Sequence, residues 1–146
     1  MAQCALAVEP ATDDNVKTIL DDSRTVAVVG VSHKEERDSN MVFRYLREKG
    51  YRVIPVNPKY REVLGEKRYP DLKSIPEHVD VVDIFRNIEA IPAIVDEAIE
   101  IGANTVWMQL NLIREDAAEK ARCAGLRVVM NRCMRRELKA LAEKKN

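Results

Sequence analysis

Five short apolar runs in this chain each end in residues that could meet a ligand, and the chemistry they suggest is the gripping of phosphate. The first run, TVAVV, passes into Gly30-Val31-Ser32. A glycine there permits a tight turn and close backbone approach, and the serine adds a hydroxyl beside the N–H groups of a following helix. Arg37, further along the same loop, offers a guanidinium that can hold two phosphate oxygens at once. The second run ends in Asn57-Pro58-Lys59, the third in Phe85-Arg86, the fourth in Gln109 and the fifth in Asn131-Arg132-Cys133. Only the first glycine of a G-x-G-x-x-G fingerprint is present, so a plain strand-to-helix turn at Gly30 stays an alternative.

Lys59 narrows the ligand class. An NAD site places Asp or Glu at the end of the second strand to hold the ribose diol. Here an amide and a lysine stand instead, which favours a ribose carrying a phosphate monoester. Two cofactors fit, NADP and coenzyme A (CoA), although a surface lysine after a turn proline would read the same way. His33 and His78 lack partners that would make either a catalytic group. Cys133 has no base near it in sequence and reads as a structural thiol, and Trp107 reads as a core aromatic. Lys34, with Glu35, Glu36 and Asp38, makes the rest of the first loop a mixed-charge segment. Asp80 and Asp83, inside an otherwise apolar run, have no evident place.

The elements that must position these groups follow from a repeated phrase: amphipathic helix, glycine, short turn, β-branched run. It recurs as REKG-YRVIPV, EIGAN-TVWMQL and CAG-LRVVM. The pattern predicts helices over 13–22 (capped by Thr12), 40–49 (with Ser39 as N-cap), 91–101, 115–124 and 135–144. Strands are expected over 25–29, 52–56, 79–85, 105–110 and 127–130. The stretch 57–77, with three prolines and a glycine, is expected to be loop with one short helical turn. Strands alternating with helices and joined by short turns require a parallel sheet with right-handed crossovers. The expected fold is therefore α/β: a single doubly wound, Rossmann-like, five-stranded parallel sheet with helices on both faces. Its expected order is 3-2-1-4-5, with the ligand at the switch between strands one and four.

Composition supports one such domain over 12–146, preceded by a flexible segment over 1–11. The chain has 146 residues, and 24 Lys and Arg balance 24 Asp and Glu. Zero net charge argues against binding nucleic acid through a general positive field. No apolar run approaches the ~20 residues of a membrane span, and MAQCALAV lacks the basic start of a secretory signal. Cys4, Cys123 and Cys133 show neither CxxC spacing nor histidine partners, which favours reduced thiols, a cytoplasmic location and no bound metal. An acidic pocket after strand one, as a phosphoacceptor receiver domain requires, is missing.

Taken together, VAVVGVS, ERDSN, GYRVIPVNPKY, LGEKRYP, VDIF, VWMQL and NRCM, in that order from about Thr25 to Leu138, resemble the small stand-alone CoA-binding proteins. These share a Rossmann-like domain with the succinyl-CoA synthetase alpha subunit. The resemblance implies that Gly30, Val31 and Ser32 hold the CoA diphosphate with Arg37 assisting. It places Pro58 and Lys59 by the adenosine and its 3′-phosphate, with Asn57 beside them a further cofactor-binding candidate, Phe85 and Arg86 along the adenine and pantetheine path, and Gln109 and Asn131 on the crevice floor. Val31 stands where alanine is frequent, and NRCM replaces a proline-containing ending. A ligase of that type also needs a second domain with a phosphorylated histidine, and neither histidine here has such a context. The implied role is a non-catalytic module, sensor or subunit that binds CoA or an acyl-CoA, alone, as a homo-oligomer or with a protein partner. Whether Cys133 meets the CoA thiol stays open, and a small NADP-dependent oxidoreductase is the alternative.

Overall fold

The structure, a computed structural model, describes residues 11–59 and 62–144. The expected flexible segment, apart from Ala11, and Cys4 lie outside the described residues. Helix α1 (Asp13–Asp22) opens with Thr12 and Asn15 capping one another's backbone N–H groups. Strand β1 (Thr25–Val29), helix α2 (Asp38–Glu48) and strand β2 (Arg52–Val56) follow. A two-residue-strand hairpin comes next, β3 (Glu62–Val63) and β4 (Glu66–Lys67), then a 3₁₀ turn at Leu72–Ser74. The chain continues through β5 (Val81–Ile84), α3 (Ile91–Glu100), β6 (Thr105–Met108), α4 (Glu115–Cys123), β7 (Arg127–Val129) and α5 (Met134–Lys144).

The large sheet is parallel throughout, and its side chains alternate between two cores. Ala27, Val29, Val82, Ile84, Val106 and Met108 pack against Ile91, Val95 and Ala98 of α3 and Ala117, Ala118 and Ala121 of α4. Val26, Val28, Val81 and Trp107 face the opposite way, toward α1, α2 and Met134 of α5. Helices therefore cover both faces, as the near-continuous apolar runs require. Trp107 is fully buried and donates its indole N–H to the Arg132 carbonyl at 2.7 Å. Arg132 in turn reaches Asp13, Glu137 and the Ala11 carbonyl, tying α5 to α1.

The five-stranded parallel architecture is as expected, while the lateral order is β2-β1-β5-β6-β7. Counted by position in the chain, that is 2-1-3-4-5 where 3-2-1-4-5 is expected. The physical reason sits in β2. Pro55 has no N–H, and its carbonyl accepts from Tyr69 on the outer side of the strand at 3.0 Å. N–H and C=O of one strand residue point the same way, so the missing donor also faces outward and no full ladder can form there. Strand β2 is held at the edge, covered by a single bridge from Val56 to Tyr69. The third strand crosses back to lie beside β1, and the topological switch falls between β1 and β5.

The two aspartates without an evident place have opposite fates. The Asp80 carboxylate accepts the N–H groups of Arg24 and Thr25 at 2.8 and 2.9 Å, anchoring the start of β1. Burial works against its ionisation, but those donors with His78 and Arg127 outweigh it and hold its pKa below the ordinary value. Asp83 lies in β5 between Val28 and Trp107, fully buried, with neither carboxylate oxygen hydrogen-bonded. Burial pushes its pKa well above the ordinary 3.8.

An acid whose folded pKa is raised stabilises the fold fully below its unfolded pKa and loses that contribution as pH rises through the folded value. Urea midpoints measured from about pH 4 to about pH 8 should therefore fall with rising pH. The Asp83→Asn variant, which cannot ionise, should lose that component of the slope. Identical slopes for the two proteins would mean that Asp83 is ionised in the fold.

Candidate functional site

Gly30 ends β1 with φ +89°. Its N–H donates to the Val56 carbonyl at 2.9 Å, and the Phe85 N–H donates to the Val29 carbonyl at 2.8 Å. The exits of β1, β2 and β5 are thereby drawn together at one point. A Cβ on Gly30 would lie 2.7 Å from the Phe85 carbonyl oxygen and 2.9 Å from Arg86 Cδ. Only glycine fits, for its positive φ and for the contact.

The loop after Gly30 is fastened from two sides. The Ser32 N–H donates to Ser39 Oγ, and Asn40 Nδ2 donates to the Ser32 carbonyl, both at 2.9 Å. Asn57 Nδ2 donates to the Val31 carbonyl at 2.8 Å, while Asn57 Oδ1 accepts the Lys59 N–H at 2.7 Å. Val31, Ser39, Asn40 and Asn57 are all buried. Ser39 is thus not the N-cap expected from the sequence. Arg37 holds that position, and no side chain caps the helix, because the Ser39 hydroxyl is engaged with the loop. The first turn of α2 consequently keeps backbone donors without a side-chain partner, the property that suits a helix N-terminus to an anion.

Two cavities open at the carboxyl ends, and Arg86 lines both. One, of about 240 Å³, lies over Val29, Gly30, Val56, Pro58, Leu72 and Ile94. The other, of about 260 Å³, lies between α2 and α5 over Met41, Val42, Phe85, Gln109 and Cys133, with Arg135 and Arg136 at its rim. Gln109 is buried, and its Oε1 accepts the Met134 N–H at 3.4 Å.

Of the residues singled out in the sequence, Gly30, Pro58 and Arg86 therefore share one cavity wall, and Phe85, Arg86 and Gln109 share the other. Val31, Ser32 and Asn57 shape the loop between strands. Arg37 and Lys59 are exposed and line neither cavity. Asn131 lines neither; its Oδ1 accepts the Asn111 N–H at 2.7 Å, joining the exits of β7 and β6. Sequence reasoning missed the loop-fastening roles of Ser39 and Asn40, whose signal was a pair of polar residues just before an apolar helical face. It also placed no weight on Met41 and Val42. His78 lies 3.4 Å from Asp80, at the amino end of the sheet away from both cavities. Among the described residues no cluster of acidic, histidine or cysteine side chains could hold a metal, and no helix is long and apolar enough to cross a membrane.

Residues 24–139 match the family described as "CoA binding domain". Protein YneT of Bacillus subtilis (strain 168) is 38% identical over 120 residues, covering 82% of this chain and 89% of YneT. The ADP-forming acetate–CoA ligase I of Archaeoglobus fulgidus is 31% identical over 121 residues, covering 76% of this chain but 18% of the ligase. The solved structure of a protein from Pyrococcus horikoshii OT3 superposes with a TM-score of 0.87 at 45% identity, covering 94% of this chain and 99% of that one.

The crowding at Gly30 separates it from the other positive-φ glycines. A Cβ added to Gly125, at φ +92°, would meet nothing within 4 Å. Gly125→Ala should cost about 1 kcal/mol of stability for its φ alone, whereas Gly30→Ala should cost roughly 3 kcal/mol because backbone must also move. Denaturant midpoints of the two variants check this, and equal losses would refute the close approach.

Proposed function

The chain belongs to the family of CoA binding domains, and from that premise we propose that it binds CoA, or an acyl-CoA, across the carboxyl ends of its sheet without catalysing a reaction itself. The observation that carries the reading is the position of Arg86 as the shared wall of two cavities. CoA has an adenosine at one end, a pantetheine arm at the other and a diphosphate between them. The cavity over Val29, Val56 and Leu72 suits a planar base and ribose. The cavity over Met41, Val42 and Phe85 suits the arm, with Gln109 available to its amides. The diphosphate then falls between Arg86 and the first turn of α2, where a guanidinium and backbone donors can share its charge. Lys59, beyond the adenosine cavity beside Pro58, has no charged partner among the described residues and is the group assigned to the 3′-phosphate.

A non-catalytic role is supported by the placement of His78 and Asp83, although Asp38 and Cys133 line one cavity and Asp71 and Glu97 the other. His78 is at the opposite end of the sheet, and Asp83 is sealed beneath the floor. The aligned region is 18% of the ligase relative, so most of that ligase has no counterpart in the match.

Calorimetric titration of the ligand-stripped protein with CoA, dephospho-CoA and NADP at matched ionic strength tests the reading. CoA should bind with micromolar or tighter affinity and dephospho-CoA about tenfold more weakly. Lys59→Ala should erase that difference, and Arg86→Ala should weaken both ligands by roughly 10- to 100-fold. No heat with CoA would overturn the assignment, and binding of NADP alone would favour an oxidoreductase.

A further inference from the structure

We propose that Cys133 is a site of reversible disulfide capture of CoA, taking the ligand's sulfur when CoA is present as a disulfide. The inference rests on the CoA reading above and adds a covalent step to it. Cys133 is 8% exposed, yet it lines the larger cavity, the one assigned to the pantetheine arm. It immediately precedes α5, and its carbonyl accepts the Glu137 N–H at 3.0 Å, which puts it in the N-cap position. The positive end of the helix therefore faces any negative charge that develops on the sulfur during exchange, and Arg135, Arg136 and Asp38 line the same cavity.

Gln109 supplies an independent reason to expect a ligand with a hydrogen-bond acceptor beside that sulfur. Its side chain is 5% exposed and lines the same cavity. Its Oε1 is held by the N–H of Met134, the residue after Cys133, while its Nε2 has no partner among the described residues. The residue lines the cavity, so an acceptor on a bound ligand can take that donor in place of water. The pantetheine arm carries amide carbonyls along its length and a sulfur at its end. An acceptor bound at Gln109 thus brings that sulfur toward Cys133.

The step is thiol–disulfide exchange with CoA disulfide. Cys133 Sγ attacks the sulfur of the bound CoA half, a new sulfur–sulfur bond forms, and the original disulfide breaks. The second CoA leaves as a thiolate and takes up the proton given up by the Cys133 thiol. The cysteine sulfur is oxidised and the departing CoA sulfur is reduced, so no other oxidant is needed. A reducing thiol reverses the capture.

Cys123, exposed on α4, is the internal control for unselective thiol chemistry. The full chain, and its Cys123→Ser variant, are incubated with CoA disulfide and separately with glutathione disulfide at equal concentration. Intact mass and peptide mapping read the products. The expected result is one CoA on the Cys133 peptide of both proteins, formed about tenfold or more faster than the glutathione adduct and removed by dithiothreitol. Cys133→Ser should carry no adduct at position 133. Binding of CoA by calorimetry without an adduct on Cys133, or equal rates with the two disulfides, would overturn capture while leaving the binding reading intact. Absence of both binding and adduct would overturn the binding reading and capture together.

Discussion

The exits of β1 and β5 approach so closely at Gly30 that a single added carbon would meet the Phe85 carbonyl oxygen and the Arg86 stem. That approach decides where everything else at this end of the sheet can stand. The β1–β5 ladder continues one residue past the strands because the Phe85 N–H still reaches the Val29 carbonyl, so Arg86 is the first side chain released at the switch point. With its stem lying over a residue that has no side chain, Arg86 can border both cavities instead of being pushed to one. The loop beyond Gly30 is then fixed by partners that come from elsewhere: Asn57 from the end of β2, Ser39 and Asn40 from the first turn of α2. Three elements converge on one backbone segment, and the ligand-facing groups inherit their positions from it.

Parallel sheets of this type were legible because the strands are buried on both faces and α2, α3 and α4 stop at Gly50, Gly102 and Gly125. TVAVV and RVIPV could hardly read otherwise, and their bounds match the structure residue for residue. The strand order was less legible, although the signal existed. Pro55 within RVIPV marks an edge, and an edge position for β2 excludes any order that places a strand outside it. The β3–β4 hairpin left no usable pattern, since two residues per strand are too few for alternation to show. The short helical turn in the same stretch was legible and is the one at Leu72–Ser74.

Within the site, legibility depended on whether a residue acts through its position or through its partners. Gly30, Phe85, Arg86 and Gln109 could be named because a strand's carboxyl end is a location that sequence gives directly. Ser39 and Asn40 could not, because their importance lies in hydrogen bonds to a loop seven and eight residues earlier. The same distinction explains the aspartates. Asp80 and Asp83 stand three residues apart in one apolar run, yet one meets two backbone donors at the sheet's amino end and the other meets none in its middle. Residue type alone does not separate them; depth along the strand does.

A guanidinium shared by two cavities also constrains what the ligand can be. A compact nucleotide would fill the cavity over Gly30 and Pro58 and leave the one over Phe85 and Gln109 empty, with no use for its buried amide. A purely apolar molecule would fill the second cavity and leave Arg86 facing it without a counter-charge. The arrangement suits a molecule that is long, anionic at its centre, aromatic at one end and amide-bearing at the other. CoA, the ligand proposed above, has that form.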